Sequence, residues 1–213
     1  MSLFGFLKPD RKVPAPPERM RIPLFPLKSV LFPGGLLALK VFEQRYLDMS
    51  AACLKDDRPF GVCLILKGEE VGVPAEPHRI GTLAHVARWD MEQLGILQLE
   101  VRGGRRFRIL ESSVEPGGLM HAHVELLEEP HEIAVPEAQS GLLDVLRQIA
   151  ADLGEQRMPE PHHWEDAAWV GNRLAEVMPV QLLAKQKLLE LDDPVSRLEI
   201  LYRYLKQRGI VGT

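Results

Sequence analysis

The residues most open to a chemical reading are the histidines, of which the chain has seven. His121 and His123 stand two apart in an alternating stretch, so on a β-strand they share one face with Glu125. At that spacing imidazole and carboxylate side chains could ligate a metal. The same face is the one that a half-buried strand turns to water, where such residues need no further explanation, and this reading is preferred. His131-Glu132 lacks the second histidine of a zinc-protease helix, whose place Val135 takes. His162-His163-Trp164-Glu165 follows Pro159 and Pro161 and reads as a loop leading into a helix. With no four-ligand zinc spacing present, no metal and no cofactor are expected.

Phosphate and nucleophile chemistry have less support still. The sequence contains no Gly-x-x-x-x-Gly-Lys-Ser/Thr loop, no Gly-x-Gly-x-x-Gly fingerprint and no Gly-x-Ser-x-Gly elbow. Gly34-Gly35, Gly103-Gly104 and Gly117-Gly118 read as turns. The chain is therefore read as non-enzymatic. One dense basic cluster stands out, Arg105-Arg106-Phe107-Arg108 with Arg102 before it. On a barrel face these arginines could follow a phosphate backbone, which makes RNA or nucleotide binding the alternative function. The preferred reading is that they solubilise an exposed strand and pair with acids on its neighbours.

Charge agrees with that preference. Up to residue 129 there are 17 acidic and 17 basic residues, and after it 13 against 9, so the net −4 lies wholly in the C-terminal part. Neither part has the basic excess of a domain built to neutralise many phosphates, so nucleic acid is a disfavoured partner. At 213 residues, 46% hydrophobic and 26% charged, the chain has the composition of one or two ordinary globular domains. No apolar run reaches the roughly 18–20 residues of a membrane span, and the short apolar start is no signal peptide. Cys53 and Cys63 lie in apolar surroundings and read as buried free thiols. A cytoplasmic protein with no membrane contact is expected.

Elements that would position these residues fall into two groups. Residues 1–21, with four prolines and five basic residues, read as a flexible tail. From 22 to 129 short apolar or alternating runs predict strands: Phe60–Leu66, Leu97–Val101, Arg105–Ile109 and Ala122–Leu126, the middle pair joined by Gly103-Gly104 as a hairpin turn. Many short strands with Gly/Pro turns suggest a small barrel or sandwich. Leu47, Ala51 and Leu54 mark one helix inserted among them. From 130 to 213 the period changes to helical, with stripes at Leu142/Leu146/Ile149/Leu153 and Val170/Leu174/Val177/Met178. A third apolar helix runs from Gln181 to Leu191. Asp193-Pro194 starts a fourth, carrying Val195, Leu198, Tyr202 and Leu205. The fold class is α+β, and the four helices are expected to pack as a bundle.

One run has its own local logic. In Ile22-Pro-Leu-Phe-Pro-Leu, Pro23 and Pro26 deny ladder donors, which suits an edge strand near Leu24 and Phe25. Phe42 and Tyr46 are four apart across a helix start and could pack over a barrel mouth. This segment, Ile22 to Gly35 and then Leu39-Lys-Val-Phe-Glu-Gln-Arg-Tyr, resembles the opening of the Lon substrate-binding domain family. Phe60-Gly-Val, Ile80-Gly-Thr-Leu-Ala, Gly104-Arg-Arg-Phe-Arg-Ile and the stretch Gln186–Leu201 continue the resemblance in order, so that it spans roughly 22–206.

The resemblance implies an N-terminal PUA-like β pseudo-barrel with one inserted helix, followed by a C-terminal helical bundle. It implies recognition of unfolded or extended polypeptide, in company with a separate protease, by a chain that itself ends at Thr213 without ATPase or peptidase motifs. Leu24, Phe25, Phe42, Tyr46 and Phe60 are the expected peptide contacts, although packing roles are preferred for the opening motif. Arg102, Arg105, Arg106 and Arg108 serve the nucleic-acid alternative. The sequence sets no oligomeric state.

Overall fold

The computed structural model describes residues 17–212. Most of the expected tail lies outside these residues; its last three, Arg19–Arg21, are already strand. Seven strands are present: β1 (Arg19–Leu27), β2 (Leu36–Val41), β3 (Phe60–Lys67), β4 (Glu76–Pro77), β5 (Ile80–Gln93), β6 (Ile96–Val114) and β7 (Met120–Leu126). Five helices are present: α1 (Gln44–Asp56), α2 (Gly141–Leu153), α3 (Ala167–Val177), α4 (Leu182–Glu190) and α5 (Pro194–Gln207).

Pairing runs β1–β7–β6–β5–β3 and returns from β3 to β1 in parallel, so five strands form a closed ring. β2 lies outside the ring on β6, and β4 adds two residues to β3. The prolines of β1 mark where that strand changes partner. Pro23 faces β7 before pairing with β3 begins at Leu24, and Pro26 pairs with β3 after pairing with β7 has ended at Leu24. Each missing N–H thus falls beside a gap in the ladder. Leu24 itself has a partner on either side, so β1 is not an edge at the position where the prolines suggested one.

Gly103-Gly104 is not a turn. β6 continues through it for 19 residues, and the reversal comes earlier, at Leu94-Gly95, with Gly95 at φ 81°. Between the pairs Thr82↔Arg106 and Ala84↔Gly103, β6 carries one residue more than β5, a bulge that bends the long strand. The Pro33–Gly35 turn crosses here: the Gly34 N–H donates to the Gly103 carbonyl (2.7 Å) and the Gly103 N–H to the Gly35 carbonyl (2.8 Å). A Cβ on Gly103 would penetrate the Phe32 carbonyl. The glycine pair serves close approach rather than chain reversal. Gly117-Gly118, by contrast, is a turn, with φ of 109° and 85°.

The inserted helix forms as expected, but it buries Tyr46, Met49, Ser50 and Cys53 rather than the Leu47/Ala51/Leu54 stripe. Ser50 hides that face from a hydrophobicity reading. Its hydroxyl donates to the Tyr46 carbonyl (2.7 Å), which permits its burial. Asp57, in the left-handed conformation at φ 50°, ends the helix before Pro59.

The four later helices form, and α5 buries Leu198 and Leu205 of its stripe together with Arg197 and Leu201, leaving Val195 and Tyr202 half-buried. Asp166 caps α3 by accepting from the Ala168 and Trp169 N–H groups, and Asp193 caps α5 by accepting from Ser196. α3 is central, packing on α2, α4 and α5; Gly171 lets the Arg197 and Leu198 side chains of α5 come close. The helices share one core with the β part: Val30, Phe32 and Leu64 are buried in the same cluster as Leu146, Leu174 and Leu198. Gly103→Ala is expected to lower stability by about 1–3 kcal/mol, the range for forcing a methyl into filled space. Gly104→Ala, whose nearest neighbour is the movable His85 ring, is expected to cost less. Urea unfolding of both variants checks the order.

Candidate polypeptide-binding surface

The structure gathers the expected peptide contacts but divides their roles. Phe25 stacks on Tyr46 with ring centroids 4.0 Å apart and lies 6.2 Å from Phe60. Leu24, Phe25, Tyr46 and Phe60 are all buried, so their side chains form the floor, and Leu24 belongs to a neighbouring cluster. Phe42 alone of the five is exposed, at 53%. It shares a small recess with Val71, itself 55% exposed, above the Phe25 and Tyr46 rings. Arg45 holds the rim: it pairs with Glu43 at 3.0 Å, donates to the Gly118 carbonyl at 3.1 Å and covers the Tyr46 ring at 4.6 Å. Burial raises the Tyr46 hydroxyl pKa above the usual range, so the ring stays neutral.

Phe42 directly follows β2, whose outer edge is open. Gly103 donates to the Gly35 carbonyl, while Gly34 rather than Gly35 supplies the return donor, so Gly35 is the first position whose carbonyl bonds to β6. Counting along the antiparallel register, Leu37, Leu39 and Val41 bond to β6, while the N–H and C=O groups of Leu36, Ala38 and Lys40 point away from it. Leu39 and Val41 are buried, Ala38 and Lys40 exposed. A cleft of about 560 Å³ opens beside this edge, with Leu36–Ala38 on one side and Met158, Val177 and Leu182 on the other.

Charged groups end the cleft in a fixed arrangement. Glu176 pairs with Arg173 at 2.9 Å, and its carboxylate lies against Gly35 and the Leu36 backbone. Arg173 also donates to the Pro33 carbonyl (2.7 Å), and the Lys185 ammonium donates to the main-chain carbonyl of Glu176 (2.6 Å). Burial pushes the Glu176 carboxyl above its ordinary pKa, against the pull of Arg173, and lowers Lys185 against the pull of Glu176. The sequence pattern missed Glu176, Lys185 and the β2 edge. A signal was present in Ala38 and Lys40, a small residue and a lysine alternating with Leu37, Leu39 and Val41, since lysine is a common guard of open edges.

The basic cluster does not assemble as one face. Arg106 is buried and donates to the carbonyls of Leu189 (2.8 Å) and Leu191 (3.0 Å) and to Asp192 (2.9 Å), which joins β6 to the end of α4. Arg105 pairs with Glu18 (2.7 Å), Arg108 with Glu125 (3.6 Å), and Arg102 is exposed. The histidines of β7 are likewise taken up by neighbouring acids. His121 lies 3.1 Å from Glu115 and His123 lies 3.9 Å from Glu111, while Glu125 faces Arg19 and Arg108. His162 packs edge-on to Trp164 and tilted against Trp169. Among the described residues no group of three or more metal-ligating side chains converges, and no helix is long and apolar enough to cross a membrane.

The sequence profile of the ATP-dependent protease La (LON) substrate-binding domain matches residues 21–207. The chain belongs to that family. It is similar to the crystal structure of the Lon N-terminal domain protein from Xanthomonas campestris, with 37% identity and a TM-score of 0.73 over 87% of this chain and 98% of that one. The N-terminal domain of Mycobacterium avium complex Lon protease shares the fold at 19% identity and a TM-score of 0.62, covering 88% and 98% of the two chains. Lon protease of Cytophaga hutchinsonii is 28% identical over 189 residues, 83% of this chain and 23% of that protein. The chain thus spans about a quarter of the length of the curated relatives it matches. Its fold is that of the Lon N-terminal domain, with a largely antiparallel sheet and five helices.

Within this Lon-family fold, Arg106 fixes the helical layer on the sheet. Arg106→Met is expected to lower stability by about 1–3 kcal/mol, because it strands the buried carbonyl of Leu189, whereas that of Leu191 keeps Arg197 as a donor. Arg105→Ala, whose partner Glu18 is exposed, is expected to cost less than about 1 kcal/mol. Denaturant unfolding followed by the fluorescence of Trp164 and Trp169 compares the two.

Proposed function

We propose that this chain is a non-catalytic module that binds unfolded or extended polypeptide and hands it to, or holds it for, a separate protease. The observation that carries the reading is the exposed Phe42 ring, set over a buried aromatic floor at the end of an open-edged strand. An aromatic side chain held by a rigid base and bordered by the Glu43–Arg45 pair gives an apolar anchor with a polar rim. Family membership supports polypeptide as the ligand class.

The same reading takes residues 22–129 as a PUA-like β unit and 130–213 as a helical bundle. The closed strand ring and the α3-centred packing support these assignments. Two buried, unpaired cysteines suit a reducing cytoplasmic setting.

The test is titration of a fluorescein-labelled protein, in its reduced, carboxymethylated unfolded form and in its native form, followed by anisotropy. Preference for the unfolded form is expected. Phe42→Asp is expected to weaken it about tenfold, the equivalent of losing a partly buried phenyl contact, with the unfolding midpoint unchanged because Phe42 is exposed. Equal affinity for native and unfolded forms would overturn the reading.

A further inference from the structure

The reading above assigns a ligand class and one anchor, not the way in which a polypeptide without fixed sequence is held. The geometry points to strand addition: an extended apolar segment pairs, backbone to backbone, with the outer edge of β2 at Ala38 and Lys40. This inference rests on polypeptide binding and specifies its mode.

Among the described residues β2 is the one strand longer than two residues that has a single partner along its whole length. Its register with β6 runs unbroken from Leu36↔Arg102 to Val41↔Leu97. Stretches of β5 and β6 that also lack a second partner are interrupted by bulges, between Val86 and Arg88, Asp90 and Gln93, and Ile109 and Glu111. Bulges twist an edge away from pairing, and Arg19–Pro23 of β1, one-sided as well, ends in a proline that lacks a donor, so β2 is the straight edge left open from end to end. Only another extended backbone matches its donors and acceptors, which recur every second residue.

Position restricts the occupant further. At one end the Glu176 carboxylate lies against Gly35 and the Leu36 backbone and blocks the edge, so pairing starts at Ala38. At the other end the added strand, about 4.8 Å from β2, runs out beside Phe42. Side chains on one of its faces meet the cleft walls formed by Met158, Val177 and Leu182. The cleft is balanced in charge: Arg157 and Lys185 stand with Glu100 and Glu176 on its walls, and Lys40 lies with Glu43 and Glu70. Apolar side chains on the added strand therefore suit it.

The probe is a fluorescein-labelled peptide of alternating valine and serine ending in two aspartates, titrated against the full chain. Two N-methylated versions remove donors along one edge of the peptide or the other. Strand addition predicts that one methylated version loses about tenfold in affinity and the other none, as expected for lost backbone hydrogen bonds. Ala38→Pro is expected to fold, since the N–H it removes is not bonded to β6, and to lose about tenfold toward the unmethylated peptide. Equal affinity of the two methylated peptides overturns strand addition while leaving polypeptide binding in place. Absence of binding to any peptide, with the unfolded protein still bound, likewise overturns it. Failure of both ligands removes the underlying function as well.

Discussion

Everything in the molecule is referred to the passage of Leu31–Gly35 across β6 at Gly103. Leu31 is buried in the sheet cluster and Phe32 in the helical cluster, so two successive side chains anchor two different cores. The carbonyls between them are all engaged: Thr82 donates to Leu31 (2.6 Å), Gly35 to Phe32 (2.9 Å) and Arg173 to Pro33 (2.7 Å). A segment so fully bonded can be displaced only with loss of buried hydrogen bonds, each costing about 1–3 kcal/mol when left unmade. It also sets where β2 begins, and hence where its open edge faces. The helical layer therefore positions the edge although no helix pairs with it.

Two arginines carry the second half of that joint. Arg106 from the sheet and Arg197 from α5 both donate to carbonyls at the end of α4, Arg197 to Leu188 (2.9 Å) and to Leu191. Guanidiniums so placed repel each other, and burial together with Arg106 lowers Arg197 to a pKa of about 10. Protonation survives at neutral pH because unsatisfied helix C-terminal carbonyls and the adjacent Asp192 offer compensating negative charge. Such an arrangement stabilises little over an apolar contact of equal size. What it supplies is direction, since a planar fork accepts only one disposition of α4 against β6.

Much of this was legible from local chemistry. Caps and periodicity are properties of neighbouring residues, so Asp193-Pro194 and the Leu142/Leu146 stripe announce their helices directly. Gly103-Gly104 shows where that legibility ends. A glycine pair reports only that no Cβ is tolerated, and a turn and a close crossing both require that; Phe32, some seventy residues earlier in the chain, decides between them. Pro23 and Pro26 are similar, since a missing donor signals a gap in a ladder, not on which strand the gap lies. Phe25, Tyr46 and Phe60 pack as one buried group while Phe42 is exposed, a difference that residue type does not carry, because burial is set by the whole ring of strands. Arg106 has the same residue type as Arg105 and Arg108, and only the arrival of α4 separates a structural arginine from two solvated ones.

The open edge of β2 follows from the closure of everything else. A ring of five strands satisfies its own ladders, and a sixth strand laid outside it necessarily has one unpaired side. Soluble proteins guard such sides with short strands, charge and obstruction, and each guard is present: six residues, Lys40, and Glu176 at one end. The guards are incomplete between Ala38 and Phe42, where the strand stays straight and ends on an exposed aromatic ring. Full protection would have needed only a bulge of the kind β5 carries twice. An edge kept straight over a rigid floor and beside a cleft is preorganised for an extended chain, and preorganisation lowers the entropy lost on binding.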